Sequence, residues 1–410
     1  MIRGKVFYRG EFIEAGIEVD GGRIKKIGKL VKGKEVRGVI LPAGIDVHVH
    51  LRDFDEAHKE TIETGTMAAK YGGICLVVDQ PNTRPVVDSE KVYFERMEKA
   101  KSDVHVDYTL NLALTNSNFG EIAGILEKIR SRYFVPAVGE VFIQHSNDNL
   151  QIRYETLRLA ISNLKNVLLT IHAEDPAYVD TGFPNFRFRK KEAEVFAVQK
   201  CLTISNFHFC HISTRDAAER ICNSDSTFEV TPHHLLLSTD DYRRLGYAVN
   251  VNPPLRSRDE AEWLLKHFHM ADILASDHAP HTLEDKKSGA PGFPGVETMY
   301  PIFVHLAAMR IIRFGDLVEK IASNPARIFG FRGYGEIRVG NYANFAVFDL
   351  KNVRKIRAED LHSRCDWTPY EGFNAVFPDK VYLKGTDVLE VAEPTGEVLG
   401  AEFQNYKKSF

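Results

Sequence analysis

Residues 45–52 read Ile45-Asp-Val-His48-Val-His50-Leu-Arg52. Apolar residues alternate here with residues that can carry chemistry, which is the two-residue period of a β-strand. Because side chains two residues apart on a strand point to the same face, His48, His50 and Arg52 converge on one side. Two histidines on one apolar strand can also be ordinary buried residues. Their role therefore depends on what the rest of the chain places beside them.

Short runs rich in Val, Ile and Leu recur after this strand, and segments with helical periodicity such as Ser89–Ala100, Glu121–Arg130 and Lys190–Leu202 separate them. Strands that alternate with helices form a parallel sheet, and eight such units predict a (β/α)8 barrel. A doubly wound open sheet is the alternative, but no glycine-rich phosphate loop follows the first run. The eight runs are Ile45–Leu51, Ile74–Asp79, Val104–Leu112, Val138–Ile143, Val167–Ala173, Phe207–Ile212, Phe228–Thr231 and Ile273–Asp277.

The two ends of the chain have a different pattern. The first forty residues alternate apolar and polar positions and turn at Arg9-Gly10 and Asp20-Gly21-Gly22, which predicts short antiparallel strands. After the helix-like Leu317–Phe329 the β pattern returns at Asn344–Phe348 and Lys380–Leu383. We therefore expect an α/β protein, with a (β/α)8 TIM barrel over residues 43–335 and a small β-sandwich domain formed by residues 1–42 and 336–410.

Composition limits what the 410-residue chain can bind. A formal charge of -3, from 53 basic and 56 acidic residues, gives no basic field for nucleic acid or an anionic membrane. The N-terminus lacks an apolar signal core, and no stretch approaches the length of a membrane span. Five cysteines without a C-x-x-C pair indicate neither a disulfide framework nor a cysteine zinc site. These features predict a cytoplasmic protein that acts on a small molecule.

Further candidate metal ligands stand at the ends of later runs. His172 ends the fifth run, His211 lies near the end of the sixth, and Asp277 ends the eighth. Active sites of (β/α)8 barrels lie at the carboxyl ends of the strands, so these side chains can meet His48 and His50 there. Imidazole and carboxylate groups bind Zn²⁺ or similar divalent ions, and five of them exceed the needs of one open tetrahedral site. The pattern therefore predicts two metal ions.

Two adjacent metal ions need a bridging anion, and Glu140 on the fourth run is a candidate. By itself, a glutamate at this position can equally be a surface or barrel-filling residue. Asp-x-His-x-His on strand one, a carboxylate on strand four, histidines on strands five and six and an aspartate on strand eight together resemble the amidohydrolase superfamily. The resemblance implies a set of six metal ligands, namely His48, His50, Glu140, His172, His211 and Asp277.

Motifs on the substrate side resemble those of the dihydroorotases, and the similarity runs from residue 41 to residue 372. The motifs are His50-Leu-Arg-Asp53, Gln80-Pro-Asn-Thr-Arg-Pro85, Val230-Thr-Pro-His-His234, Val249-Asn-Val-Asn-Pro-Pro-Leu-Arg256 and Ser276-Asp-His-Ala-Pro-His281. The resemblance implies that Arg52, Asn82 and His281 hold a substrate carboxylate. It also places Asn250 or Asn252 against a pyrimidine ring, with Asn250 favoured. A guanidinium suits this task independently, since it matches a carboxylate through two parallel hydrogen bonds.

The activity that the resemblance implies is the reversible cyclisation of N-carbamoyl-L-aspartate to L-dihydroorotate in de novo pyrimidine biosynthesis. Two divalent ions, with Zn²⁺ expected, would share a hydroxide, and Asp277 would act as general base and then as general acid. Association with aspartate carbamoyltransferase is a further hypothesis. A hydantoinase or allantoinase of the same fold is the nearest alternative, which Arg52 and Asn82 disfavour. A catalytically inactive structural homologue is a second alternative, which the intact ligand set disfavours.

One feature departs from the family pattern. Many relatives carry a lysine on strand four, which CO₂ converts into a carbamate that bridges the metals, whereas this chain has Glu140. The lysines nearest to this strand in sequence, Lys128 and Lys165, lie in the preceding helical segment and before the fifth run. We therefore expect Glu140 to bind metal directly, without a carbamate.

Other polar segments near the strand ends stay unassigned. His233 and His234 follow the seventh run, and we expect hydrogen-bonded loop residues there rather than metal ligands. The segments Gln144–Asn149 and Gly289–Gly295 also follow strand ends. Either of them is a candidate for a loop that closes over substrate, although ordinary exposed loops are the default interpretation.

Overall fold

The computed structural model describes residues 1–180 and 189–403, and these form an α/β protein. Its strands are β1 (Ile2–Tyr8), β2 (Glu11–Asp20), β3 (Arg23–Gly28), β4 (Lys34–Pro42), β5 (Gly44–Val49), β6 (Ile74–Asp79), β7 (Asp107–Leu110), β8 (Ala137–Phe142), β9 (Leu168–His172), β10 (His208–Phe209), β11 (Thr227–Val230), β12 (Ile273–Leu274), β13 (Phe345–Phe348), β14 (Arg354–Lys355), β15 (Asn374–Ala375), β16 (Lys380–Leu383) and β17 (Thr386–Asp387).

The α-helices of the described residues mostly follow the barrel strands. They are α1 (Ile62–Tyr71), α2 (Glu90–Asp103), α3 (Ile122–Arg130), α4 (Tyr154–Asn163), α5 (Lys191–Leu202), α6 (Arg215–Cys222), α7 (Pro232–Leu236), α8 (Tyr242–Leu245), α9 (Arg258–Lys266), α10 (Leu283–Lys287), α11 (Val296–Ala308), α12 (Phe314–Val318) and α13 (Asn324–Phe329). Local sequence explains several starts: the hydroxyl of Ser89, for example, accepts a hydrogen bond from the backbone N–H of Val92 and caps α2. The helical segment predicted at 317–329 occurs as α12, a π-helical turn at Glu319–Ser323, and α13.

Strands β5 to β12 close into a parallel barrel. In the described ranges, β5 to β7 form one hydrogen-bonded sheet and β8 to β12 form another. Single parallel bridges between Leu112 and Val138 and between Val49 and His278 join the two sheets into a ring. Every residue of β5, β6 and β8 is buried, as expected for parallel strands that helices cover on the outside. All the runs predicted as barrel strands occur, and the (β/α)8 prediction is confirmed.

The two ends of the chain pair with each other beside the barrel. Across residues 1–180 and 189–403 they build one sheet in the order β17-β16-β13-β4-β1-β2-β3, in which the N-terminal β4 runs antiparallel to the C-terminal β13. The prediction of antiparallel strands is correct for β1, β2 and β3, and Arg9 and Gly10 both have positive φ in the first turn. For β4 it is correct only toward β13, because β4 pairs parallel to β1. Alternation of apolar residues reports which face of a strand is buried and carries no information on its direction.

The C-terminal segment also contacts the barrel. The indole Nε1 of Trp367 donates to the carbonyl oxygen of His281 over 2.8 Å, and Val398 forms a bridge with Tyr108 of β7. The domain limits at residues 42/43 and 335/336 stay predictions, and residues 404–410 of the expected second domain lie outside the described residues. In the described part of the chain, no helix combines the length and apolar character that a membrane span requires.

Candidate active site

The six predicted metal ligands converge at the carboxyl ends of the barrel strands. Each of these residues is at most 5 % exposed. His48 lies within β5 and Glu140 within β8, His172 is the last residue of β9, and the others follow directly or closely after β5, β10 and β12. The barrel therefore brings together residues that are up to 229 positions apart, from His48 to Asp277.

One cluster of ligand atoms forms between β5 and β12. Asp277 Oδ1 lies 3.2 Å from His50 Nε2 and 3.6 Å from His48 Nε2. His48 Nε2 is buried and has no hydrogen-bond partner among the described residues. Since a buried polar atom without a partner is costly, its position is best explained by a ligand that it binds. These three residues can hold one metal ion.

A second cluster forms around Glu140. Its Oε1 atom lies 2.7 Å from His211 Nε2 and 3.1 Å from His172 Nδ1. Its other oxygen, Oε2, lies 3.5 Å from His48 Nε2, which also belongs to the first cluster. Glu140 thus stands beside both groups of ligand atoms, the position that a bridging carboxylate needs.

His48 and His50 are oriented by hydrogen bonds from the ring nitrogen that faces away from the cluster. His48 Nδ1 donates to Glu229 Oε1 over 2.5 Å, and His50 Nδ1 donates to Asn82 Oδ1 over 2.9 Å. A carboxylate or amide oxygen can only accept, so each ring carries its proton on Nδ1 and presents Nε2 to the cluster. Such partners fix the tautomer and raise the basicity of metal-binding imidazoles.

His172 is held in the opposite sense. Its Nε2 donates to Glu174 Oε2 over 2.8 Å, which leaves Nδ1 for the cluster. Glu174 is itself paired with Arg189. The ring of His172 is therefore anchored through a carboxylate that a guanidinium holds in place.

The carboxylates of the site are anionic. Burial acts to raise the pKa of Glu140, but His48, His172 and His211 outweigh it and hold the pKa well below its usual value. Burial likewise opposes ionisation of Asp277, and its pKa is nevertheless lowered by the hydrogen bond with His50 and the charge of nearby histidines. Charged carboxylates beside imidazoles are the donor set that a divalent cation requires.

A cavity of about 530 Å³ opens above the two clusters and is lined by the residues predicted to bind substrate. These residues are Arg52, Asn82, Asn250 and His281. Arg52 is 7 % exposed, and its guanidinium contacts Pro280 O and lies 3.1 Å from His281 Nε2. Among the described residues it forms no ion pair within 4.0 Å, although the charges of Glu56 and Asp277 act to raise its pKa against the lowering by burial.

The backbone of Arg52 is fixed by a buried ion pair. Arg52 has a φ of 50°, a left-handed conformation that is unusual for a residue with a side chain. Arg96 Nη1 donates to Arg52 O over 2.8 Å, and Arg96 Nη2 pairs with Asp79 at 2.6 Å. Asp79 Oδ1 in turn accepts a hydrogen bond from Leu51 N. This network determines where the Arg52 side chain leaves the strand.

The remaining polar residues above the barrel are two asparagines and two histidines. Asn250 and Asn252 both line the cavity, so the choice between them stays open. His234 bonds to Thr231 Oγ1 and Pro253 O, so the expected hydrogen bonding occurs, but the residue lies in α7 and not in a loop. His233 joins none of the candidate metal groups in residues 1–180 and 189–403, and neither of its buried ring nitrogens has a hydrogen-bond partner there, so the prediction of hydrogen bonds is wrong for this residue.

Comparison with known proteins identifies the family of the chain. Residues 39–388 match the model of the Amidohydrolase family. The chain is 70 % identical to a dihydroorotase of Archaeoglobus fulgidus, over 97 % of this chain and 99 % of that protein. The chain belongs to the dihydroorotase group of the amidohydrolase family. Dihydroorotases of Thermococcus kodakarensis and Pyrococcus abyssi are 34 % and 36 % identical to it, and the matches cover 99 % and 97 % of this chain and 99 % and 96 % of those proteins.

Solved structures with the same fold as this chain include a hydantoinase and a dihydropyrimidinase. An L-hydantoinase from Arthrobacter aurescens superimposes with a TM-score of 0.87, over 98 % of this chain and 97 % of that one, at 23 % identity. A dihydropyrimidinase from Brevibacillus agri gives a TM-score of 0.83 at 22 % identity, over 98 % of this chain and 96 % of that one. At this identity the likeness concerns the fold alone. Family membership and the two ligand clusters together imply that this amidohydrolase uses divalent metal.

Sequence reasoning missed the residues that support the ligands. Glu229 and Glu174, which bind candidate ligand histidines, and Arg96, which binds the Arg52 backbone, are each buried and paired, but no sequence pattern assigned them a role. A signal existed for Glu229, which is a charged residue inside the apolar strand β11. Glu174 lies two residues beyond His172, where the chain has already left β9. No pattern in the sequence pointed to Arg96.

For Glu229 we predict an effect on metal affinity. Glu229→Gln should weaken binding of a divalent ion at the candidate cluster that contains His48 by roughly 10- to 100-fold, because the amide is a poorer acceptor and raises the basicity of the imidazole less. Titration with a chelator measures this directly. Glu219→Gln, at an exposed position of α6, is the matched control and should change nothing. Equal metal retention in both variants would contradict the role given to Glu229.

Proposed function

We propose that the protein catalyses the reversible opening of L-dihydroorotate to N-carbamoyl-L-aspartate. The observation that carries the proposal is the buried Arg52 guanidinium, which shares one cavity with both ligand clusters. Dihydroorotate combines a cyclic amide with a carboxylate on the ring. A site for this substrate therefore needs a cation at a fixed distance from the group that activates water, and Arg52 supplies such a cation.

We further propose that the site holds two divalent ions and that these are Zn²⁺. The set of imidazole and carboxylate donors suits zinc, and it is larger than one open tetrahedral site needs. The proposed ligands are His48, His50 and Asp277 for one ion and Glu140, His172 and His211 for the other. Metal ions bound there would lower the pKa of a water molecule and polarise the scissile carbonyl.

Asp277 is the proposed general base and general acid. Its carboxylate is buried, anionic and beside the proposed ligand nitrogens of β5. In ring opening it accepts the proton of the attacking water and then donates that proton to the departing ring nitrogen. Ring closure runs through the same steps in reverse. A separate histidine base is not needed for this sequence.

Arg52, Asn82 and His281 are proposed to hold the ring carboxylate, and Asn250 to face the pyrimidine ring. Since Asn82 Oδ1 accepts a hydrogen bond from His50, its amide N–H groups remain as donors for a carboxylate. His281 lies against the Arg52 guanidinium and adds a second polar group at the same place. One end of the substrate would thus be fixed while the amide carbonyl reaches the ligand clusters.

Replacing Arg52 tests this arrangement. Arg52→Met should lower kcat/KM for L-dihydroorotate by about 10- to 100-fold, because a charge-assisted pair worth roughly 1.5–3 kcal/mol is lost. Dihydrouracil has the same ring without the carboxylate, so any opening of dihydrouracil should be unaffected. Steady-state assays on both compounds measure the difference. An equal loss on both would make Arg52 a structural residue.

Two further expectations remain proposals. We propose that the enzyme acts in the cytoplasm and that it can associate with aspartate carbamoyltransferase, whose product is the substrate for ring closure. Co-purification of the two proteins at matched concentrations, with each alone as control, tests the association.

The reaction itself can be followed in both directions. Purified protein loaded with Zn²⁺ should consume L-dihydroorotate at alkaline pH and form it from N-carbamoyl-L-aspartate at acidic pH, since ring closure takes up a proton. Absence of turnover in both directions with metal bound would refute the proposed function.

A further inference from the structure

Lys286, the fourth residue of α10, carries a buried ammonium group. The side chain is 1 % exposed. Its Nζ donates hydrogen bonds to two backbone carbonyl oxygens, Asn250 O at 2.5 Å and Gly292 O at 2.9 Å. The rings of Phe293 and Trp367 lie 5.2 and 5.6 Å from Nζ. In the described part of the chain Lys286 pairs with no carboxylate within 4.0 Å, in contrast to its neighbour Lys287, which pairs with Glu284.

The two carbonyl groups belong to two different segments that line the substrate cavity. One segment carries Asn250 and follows α8, and the other, Gly289–Gly292, follows α10. Gly292 N donates to Asn250 O over 3.0 Å, and Asn250 Nδ2 donates to Gly289 O over 2.5 Å. Lys286 therefore closes a small network in which the Asn250 backbone is tied to the neighbouring loop.

The same ammonium group packs on the side of the cavity that carries His281. Trp367 lies against Nζ, and its indole N–H donates to His281 O over 2.8 Å. His281 in turn contacts Arg52. Lys286 thus adjoins both halves of the proposed substrate site without reaching the cavity itself.

Burial of the Lys286 amino group lowers the stability of the folded protein. Burial, together with the positive charge of Arg52, lowers the pKa of Lys286 to about 7. An ammonium group removed from water without an anion costs free energy that two carbonyl contacts and two aromatic rings only partly offset. An apolar side chain of similar length would fill the space between Phe293 and Trp367 at a lower cost. Stability therefore does not account for a lysine at this position.

We propose that Lys286 is a positioning residue for substrate binding, which holds the Asn250 segment and the Gly289–Gly292 loop together at the mouth of the active site. It acts through Asn250 and touches neither the ligand clusters nor the substrate. The assignment deepens the proposed function, on which its kinetic consequences rest.

The variant Lys286→Met, with Lys287→Met as the matched control, tests this role. Lys286→Met removes both hydrogen bonds and keeps the apolar stem, so KM for L-dihydroorotate should rise by about tenfold or more. We expect kcat to change by less than about threefold and metal content to stay the same, because the ligand clusters are untouched. The unfolding temperature should stay equal or rise. Lys287→Met should match the unchanged protein in every respect.

Amide hydrogen exchange separates this proposal from the proposed function. The Gly292 amide, which donates to Asn250 O, should exchange faster in Lys286→Met than in Lys287→Met, whatever substrate the enzyme uses. If the unchanged enzyme fails to open dihydroorotate, the proposed function fails while this measurement still decides the role of Lys286. Unchanged exchange at Gly292, or a lower unfolding temperature with kcat and KM altered together, would overturn the proposal.

Discussion

Asp277→Asn should lower kcat for dihydroorotate by about 10²- to 10⁴-fold, the range that a lost general acid and base produces. Asparagine keeps the shape of the side chain and one ligand oxygen, but it cannot accept the proton of water at neutral pH. The effect should fall on kcat in both directions of the reaction, because the same carboxylate takes the proton in one and gives it in the other.

Fold and metal content distinguish this loss from simple damage to the site. We expect the variant to unfold at nearly the same temperature and to keep most of its metal, since His48 and His50 are unchanged. Asp225→Asn, at an exposed loop position, is the matched control and should be fully active. Turnover of Asp277→Asn close to that of the control would contradict the mechanism.

Glu140→Ala should remove at least one equivalent of metal and lower activity by about 10³-fold or more, since the carboxylate stands beside both ligand clusters. Loss of this group leaves His172 and His211 without the anion between them. Elemental analysis of the purified variant measures the metal, and the exposed Glu127→Ala in α3 serves as control. Full metal content together with full activity in Glu140→Ala would show that the carboxylate is not a ligand.

Direct metal binding by Glu140, without a carbamate, also predicts how metal-stripped enzyme regains activity. A lysine carbamate must be formed from CO₂, whereas Glu140 carries its carboxylate permanently. Protein stripped of metal should therefore regain full activity on addition of a divalent ion alone. A requirement for added bicarbonate would contradict the assignment of Glu140.

Local patterns in the sequence were sufficient to predict the barrel and several residues at its mouth, whereas Asn82, Asn250 and His281 came from the resemblance to dihydroorotases. His172, His211 and Asp277 were found because they stand where apolar runs end, and strand ends meet at one face of a barrel. Glu140 needed the family pattern as well, since a single glutamate within a strand has no local signature.

Other features depend on contacts between segments that are distant in sequence. Glu229 reaches His48 across the barrel, and Lys286 receives one of its two carbonyl partners, Asn250 O, from a segment 36 residues away in sequence. The parallel pairing of β4 with β1 is likewise set by the path of the connecting chain and not by the residues of either strand. Periodicity identifies faces and ends of elements, but it does not identify their partners.

The central claim is that the site is built for a cyclic amide that carries a carboxylate. The most direct test is to measure kcat/KM of the metal-loaded enzyme side by side on L-dihydroorotate, dihydrouracil, hydantoin and allantoin. Because Arg52 is buried beside the cavity and forms no ion pair within 4.0 Å in the described part of the chain, we predict that dihydroorotate is preferred by at least about 100-fold, as expected when a cation in a binding site loses its anionic partner. Equal or greater kcat/KM on any of the uncharged rings would contradict the account and assign the chain to a different cyclic amidohydrolase activity.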